Sequence, residues 1–325
     1  MLIYFLMLIA GLVFLVLAGD FLVRGAVAAA LKLGVSRILA SVVIVGFGTS
    51  APEMLVAIEA TLDGSPGLAM GNIVGSNIAN VLLVLGVPAL IYPLSTVGVG
   101  LTRSVIITML ATLAWLILTP TTGLTTLVGI CFIGFLVVYV VGSLLVPPGG
   151  NADELIADEV AAPPPGWLKT AFFIVLGIVG LPLGSHLAIT GAIAISNEFN
   201  IQSELVGLTL LAVGTSLPEL SASLAAAFRR EEDVVLGNVA GSMMFNILGA
   251  GGIIALFGPL ALPPVFGEFD HWFMALTMLF VLVYVLIRKP IGRLTGILLL
   301  VAYAVYLYGL YHFYVLGLGW SDPWI

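Results

Sequence analysis

Gly48-Thr49-Ser50-Ala51-Pro52-Glu53 is written a second time in this chain, as Gly214-Thr215-Ser216-Leu217-Pro218-Glu219. Both copies lie inside long apolar runs. Each therefore carries a helix-breaking proline, two hydroxyls and a carboxyl group into bilayer depth. A carboxylate in that medium costs several kcal/mol unless something compensates it. The simplest compensation is a cation, and two such acids ask for one divalent ion or two monovalent ones.

Composition supports the membrane setting. The 325 residues are 61% hydrophobic and 8% charged, against roughly 25% charged in soluble domains. With about 20 apolar residues needed per helix, there is room for roughly ten spans. The lone Cys131 allows neither an intrachain disulfide nor a cysteine zinc site. The net charge of −7 comes from loop acids, and no nucleic-acid partner is expected. Residues 1–18 are apolar, lack a basic leader and run straight into Asp20 and Arg24, so they read as the first span and not as a removed signal.

Hydropathy places spans at about 3–28, 36–60, 68–92, 100–119 and 123–146, then at about 168–195, 203–228, 234–257, 270–288 and 292–316. Between the two groups lies a Pro-rich acidic segment with Pro147-Pro148-Gly149-Gly150 and Pro163-Pro164-Pro165. The expected division is a first five-helix repeat at 1–146, a cytoplasmic linker at 147–167 and a second repeat at 168–325. With ten spans, all ten Lys and Arg residues fall on one side, including Arg24, Lys32, Arg37, Arg103, Lys169, Arg229, Arg230 and the Arg288-Lys289-Arg293 group. The opposite loops hold Asp63, Glu198, Glu204, Glu268, Asp270 and Asp322. The positive-inside rule then puts the basic loops in the cytoplasm and both termini outside, in a plasma (inner) membrane. His271 and His312 read as interfacial, and Trp320 and Trp324 as part of an aromatic belt.

The repeat extends beyond the opening motif. The offset of 166 residues that relates Glu53 to Glu219 also maps Gly71-Asn72 onto Gly237-Asn238, Gly75-Ser76 onto Gly241-Ser242, and Asn80 onto Asn246, without a gap. An odd number of spans per half makes the second half enter from the opposite side. The expected fold is an all-α membrane protein of ten transmembrane helices in two inverted five-helix repeats, an architecture that puts substrate sites at the midplane.

Pro52 and Pro218 each free a backbone carbonyl one turn earlier. Such carbonyls are tolerated at membrane depth where they line a cavity, and they are good ligands for hard cations. Glu53 and Glu219 add anionic oxygen; Thr49, Ser50, Thr215 and Ser216 add neutral oxygen. An oxygen-only set suits calcium, sodium or magnesium rather than zinc or copper. Ser76 and Asn80 lie four apart and share a helix face, as do Ser242 and Asn246. A serine or asparagine in a membrane helix is as a rule an interhelical hydrogen bond, whereas an intramembrane acid defaults to a functional site. Gly71, Gly75, Gly237 and Gly241 form a small-residue pattern for close helix packing. Asp20 and Arg24, four apart, are expected to pair with each other or to snorkel. Glu59 and Asp63 read as a solvated helix end or an entry vestibule.

These paired segments resemble the two alpha-repeats of the cation/calcium exchanger superfamily, with the nearest likeness to prokaryotic sodium/calcium exchangers. The resemblance implies a diamond of four ion sites at the midplane. In it Glu53 and Glu219 hold calcium with the backbone oxygens of Thr49 and Thr215, and Asn80 and Asn246 complete the centre. Sodium takes the outer positions through Ser50, Ser76, Ser216 and Ser242 with the carbonyls of Gly46 and Ala212. It further implies that spans 1 and 6 slide across the other eight. Some archaeal members carry Asp where this chain has Asn246, so two formal carboxylates stand here and not three. Met243-Met244 replaces the Asn77-Ile78 of the first half. The implied function is electrogenic sodium-for-calcium antiport by a monomer in contact with lipid, with no enzyme activity and no cofactor beyond the transported Ca2+ and Na+. Proton/calcium exchange and potassium-dependent exchange remain open at this point, with a cation channel as the more remote alternative.

Overall fold

The computed structural model describes residues 2–32, 46–98, 100–145, 166–199, 201–230, 232–260, 266 and 269–315. The expected linker at 147–165, Arg37, Glu268, Asp322 and the tryptophans at 320 and 324 lie outside these residues. The described chain is nearly all helix. Span 1 is Leu2–Lys32 and span 6 is Trp167–Phe199. Span 3 runs from Pro66–Ala79 through Asn80–Val84 into Gly86–Ile91, and span 4 is Leu101–Thr121. Span 7 is built from Ser203–Val206, Gly207–Leu211, Ala212–Thr215 and Leu217–Arg229. Span 8 is Glu232–Met244, Phe245–Ala250 and Gly251–Ala255. Span 10 is Arg293–Leu310, which continues into Tyr311–Val315.

Among the described residues seven helices are long and apolar enough to cross a membrane, and two shorter apolar ones, Thr126–Gly142 and Asp270–Leu286, occupy the expected places of spans 5 and 9. Gly46–Thr49 and Ala51–Leu62 form the described part of span 2. This layout is compatible with ten spans.

The inversion can be read from glycine contacts. A Cβ placed on Gly191 would stand 2.6 Å from the nitrogen of Leu8, and one on Gly11 would stand 2.3 Å from the nitrogen of Ala188. Further along, Gly184 meets Leu15, Gly177 meets Leu22 and Gly25 meets Ile174. As residue numbers rise on span 1 they fall on span 6, so the two helices are antiparallel. Each opens its own half, so the halves enter the membrane in opposite directions. By contrast, Gly67 and Gly71 meet Glu204, and Gly75 meets Leu208 and Ala212. Numbers rise together there, so spans 3 and 7 are parallel, as inverted halves require. The counterparts of Gly71 and Gly75, at Gly237 and Gly241, would by the same offset face the stretch before Gly46, which lies outside the described residues.

The same relation appears in smaller contacts. Leu94 pairs with Ile291 by two backbone hydrogen bonds of 2.9 Å. Leu124 pairs with Leu260 at 3.0 and 3.1 Å. The 166-residue offset carries Leu94 onto Leu260 and Leu124 to within one residue of Ile291, so each bridge is the image of the other. Gly129 against Gly252 and Gly296 against Gly86 form a second such pair.

Spans 1 and 6 meet the rest of the bundle mainly through side chains, with Leu12 against Gly214 and Pro52 against Gly19. Asp20 and Arg24 do pair, at 2.8 Å. Glu59 is not merely a solvated helix end: its Oε1 lies 3.0 Å from Nδ1 of His186 and joins span 2 to span 6.

Two expectations are corrected here. Asp270 is no loop acid; it is fully buried, and its two carboxylate oxygens accept hydrogen bonds from Tyr306 (2.9 Å) and Tyr314 (2.7 Å). His271 is not interfacial; it is buried, and its Nε2 accepts from the Trp115 indole at 3.2 Å. Both residues begin span 9, whose start is covered by spans 4 and 10, and a buried polar group survives only where it finds such partners.

The glycine seam gives a direct test. Gly11→Val and Gly184→Val drive a side chain into the backbone of the opposite helix, and overpacking of this kind costs about 1–3 kcal/mol. Thermal melting in detergent should show a lower midpoint for each, while Gly134→Val, where a Cβ meets nothing within 4 Å, should melt as the parent does.

Candidate ion-binding site

Both repeated motifs break a helix at the same place. Span 2 changes from Gly46–Thr49 to Ala51–Leu62 at Ser50, which has φ −86° and ψ 1°. Span 7 changes from Ala212–Thr215 to Leu217–Arg229 at Ser216, with φ −82° and ψ 6°. In both, proline occupies one of the first two positions of the new helix, where its missing N–H costs nothing. Glu53 and Glu219 then fall in the first turn, where the exposed amide dipoles favour negative charge.

The two broken helices and spans 3 and 8 bring the repeated residues together. Thr49 Oγ1 lies 3.4 Å from Ser242 Oγ, and Ser76 Oγ lies 3.3 Å from Thr215 Oγ1. These two contacts are images of each other under the 166-residue offset, and each joins one half to the other. Ser216 donates to Glu53 Oε1 at 3.4 Å. Thr49, Ser50 and Ser242 are the hydroxyl residues that interact with the Glu219 carboxyl, and Glu53 and Glu219 interact electrostatically with each other. Ser76 Oγ reaches the Ala212 carbonyl at 3.5 Å. Gly46, the counterpart of Ala212, opens the helix Gly46–Thr49.

Glu53, Glu219, Ser50, Thr215, Ser216, Ser76, Ser242, Asn80 and Asn246 are all buried, with Thr49 at 8% exposure the most open of the set. Burial without partners is the informative feature. Glu53 Oε2, both Glu219 carboxylate oxygens, Ser50 Oγ and the whole side-chain amides of Asn80 and Asn246 have no hydrogen-bond partner among the described residues. Native interiors leave few polar atoms unpaired, and an uncompensated buried carboxylate costs several kcal/mol. Here they cluster, and they belong to two spans of each half. The donor set is all oxygen with two carboxylates, and it fits a hard cation.

Sequence reading did not anticipate the backbone at Asn80 and Asn246. Asn80 opens a π-helical segment, Asn80–Val84, and Asn246 is the second residue of another, Phe245–Ala250. A π-turn inserts an extra residue and rotates the helix beyond it, and such turns recur at functional sites. The signal available in the sequence is only the shared asparagine. Asn72 and Asn238, which the sequence shows as no more than repeat markers, also belong to the site. Asn72 Nδ2 donates to the Glu53 carbonyl at 3.2 Å, and Asn238 Nδ2 does the same to Glu219 at 3.5 Å. Asn77, which has Met243 as its counterpart, turns away from the cluster: its Nδ2 faces the sulfur of Met274 at 3.9 Å.

The sequence pattern of the sodium/calcium exchanger protein family matches residues 3–145 and 169–312, both halves of the chain. CaxA of Alkalimonas amylolytica is 35% identical over 96% of this chain and 99% of its own length. The inner membrane protein YrbG of Escherichia coli is 31% identical over 94% of this chain and 96% of its own. Among solved structures, the sodium-calcium exchanger NCX_Mj soaked with 10 mM sodium and no calcium aligns with a TM-score of 0.67 at 28% identity, covering 95% of this chain and 99% of that one. With helix breaks, mirrored hydroxyl contacts and unpaired acids in place in both halves, the chain belongs to the sodium/calcium exchanger protein family.

Proposed function

We propose that this chain is a secondary active antiporter that exchanges Na+ for Ca2+ by alternating access and expels calcium at the expense of the sodium gradient. The observation that carries the reading is the group of buried oxygens without partners, centred on Glu53 and Glu219. In this reading the two carboxylates, the backbone oxygens of Thr49 and Thr215, and Asn80 and Asn246 hold calcium. Ser50, Ser76, Ser216 and Ser242, with the carbonyls of Gly46 and Ala212, hold sodium.

Competition for the same two acids supplies the coupling. One calcium neutralises both carboxylates, and so do two sodium ions, so calcium and sodium cannot be aboard together without excess charge. Carrying a third sodium adds a net positive charge, which makes the exchange electrogenic. The empty site keeps two uncompensated charges in a low-dielectric interior, so only loaded states are cheap enough to switch between inward and outward access. The inverted halves support alternating access, because exchanging their conformations exchanges the side to which the site opens.

Charge and composition support the rest of the reading. The protein works as a monomer in the inner membrane in contact with lipid, with both termini outside and with no resident cofactor or enzyme activity. Its functional division is 1–146, a cytoplasmic linker at 147–167, and 168–325.

Two measurements test this. Counterflow of radioactive calcium in proteoliposomes should be driven by a sodium gradient and not by a proton or potassium gradient applied alone. Breaking one partner of a buried charge pair costs about 3–5 kcal/mol. Glu53→Gln or Glu219→Gln should therefore cut calcium affinity by at least about 100-fold, and folded variants with unchanged flux would refute the assignment. Calcium and sodium should each raise the melting temperature of the parent protein, since a ligand at 100 times its Kd adds about 2.7 kcal/mol. The double variant Glu53→Gln/Glu219→Gln should show no such rise with calcium.

A further inference from the structure

Asn72 is fully buried on span 3, and both ends of its amide are engaged. Nδ2 donates to the backbone carbonyl of Glu53 at 3.2 Å, and Oδ1 accepts from Thr215 Oγ1 at 3.2 Å. A carbonyl only accepts, so the nitrogen must face Glu53 and the oxygen must face Thr215. The orientation of the amide is thereby decided by its partners. One side chain therefore ties the broken helix of its own half to the broken helix of the other half, at the two residues that flank one side of the ion site.

We infer that Asn72 is a positioning residue for ion exchange: it clamps the Glu53 helix start to Thr215 across the repeat interface and so sets the separation of their oxygens. The inference rests on the ion-site reading above and goes beyond it, because Asn72 itself is not placed among the ligands. Thr215 Oγ1 also lies 3.0 Å from the Leu211 carbonyl and 3.3 Å from Ser76 Oγ. Its single proton goes to an acceptor-only group, Asn72 Oδ1 or Leu211 O, which leaves an oxygen lone pair for the Ser76 hydroxyl. The clamp thus holds Thr215 and Ser76 together with Glu53.

The second half is built differently at the matching place. Asn238 is only half-buried, and its Nδ2 is shared between the Glu219 carbonyl at 3.5 Å and Ser223 Oγ at 3.3 Å. The counterpart of Ser223 in the first half is Ala57, so Asn72 has no competing hydroxyl there. The amide nitrogen is committed to one carbonyl in the first half and divided in the second. The Asn72 side of the site is accordingly the more tightly set, and its loss should disturb ion preference more.

The test is sodium-driven calcium uptake in proteoliposomes, with KM for calcium and for sodium and the maximal rate measured separately. Variants are Asn72→Ala, Asn238→Ala, Thr215→Val and the double variant Asn72→Ala/Thr215→Val. Asn72→Ala should raise KM for calcium roughly tenfold, the equivalent of about 1.4 kcal/mol, and change the ratio of the two KM values. Asn238→Ala should shift that ratio less. Because Asn72 and Thr215 act through one bond, the double variant should lose little beyond Asn72→Ala alone. A merely structural role would lower the melting temperature and the maximal rate and leave the KM ratio alone.

The clamp is overturned if Asn72→Ala keeps both KM values within about twofold of the parent, or if the two single effects simply add. Should Asn72→Ala fail to fold, Thr215→Val breaks the same bond from the other side, and an unchanged KM ratio there overturns the clamp equally. Glu53→Gln run in parallel separates the two levels. Normal transport by Glu53→Gln sinks the ion-site reading itself, whereas lost transport there with a normal Asn72→Ala sinks only the clamp.

Discussion

Two carboxyl groups sit in the middle of an apolar bundle, and no basic side chain comes to meet them: the two ion pairs among the described residues lie elsewhere, at Asp20–Arg24 and Glu59–His186. Most of the unusual chemistry of the molecule can be traced to that constraint. Helices are broken at Ser50 and Ser216 so that each acid starts a new helix, facing unpaired amide dipoles. Hydroxyls from the opposite half are placed at Ser242 and Thr215. Even so, three of the four carboxylate oxygens remain without a hydrogen bond. A lysine or arginine would have cancelled the charge permanently. Leaving it to a removable ion makes the stability of the site depend on what is bound.

Symmetry is the second organising idea. The repeat produces paired contacts, Thr49 with Ser242 against Ser76 with Thr215, and the two backbone bridges that link the halves near spans 3, 5, 8 and 10. Inverted halves with matching contacts offer two arrangements of similar energy, which is the physical requirement for a site that opens to either side. The departures from symmetry bias one arrangement over the other. Asn77 faces Met274 where the second half has Met243, Ser223 shares the Asn238 amide where the first half has Ala57, and Glu59 bonds His186 across to span 6. The Asp20–Arg24 pair likewise has no counterpart at His186 and Thr190.

Where the sequence misled, the cause was the same in each case. Asp270 and His271 look like loop residues because a charged group at a span edge usually meets water. The side chains that cover them come from distant positions: Tyr306 and Tyr314 on span 10, and Trp115 on span 4, which also packs against Gly251. No window of local sequence contains those partners. The π-helical segments at Asn80–Val84 and Phe245–Ala250 were hidden for a related reason. Helical periodicity identifies the helix but not a one-residue insertion within it, which packing has to stabilise.

Fold class, helix breaks and the acids at the centre were legible from residue order alone. Hydropathy is set by composition along the chain, proline acts on its own backbone, and a gapless repeat of 166 residues with an odd number of spans forces the halves to be inverted. Tertiary structure decided which polar atoms are satisfied and which are left over. Thr215 could have bonded only within its own helix, yet it meets Ser76 and Asn72 from the other half. Asn72, Asn77, Asn80 and Asn246 are alike as letters, but one is a cross-link, one faces a sulfur, and two turn unpaired amides inward. Hydrogen bonding is short-ranged and directional, so these roles are fixed only when residues more than a hundred positions apart are brought within about 3 Å of each other.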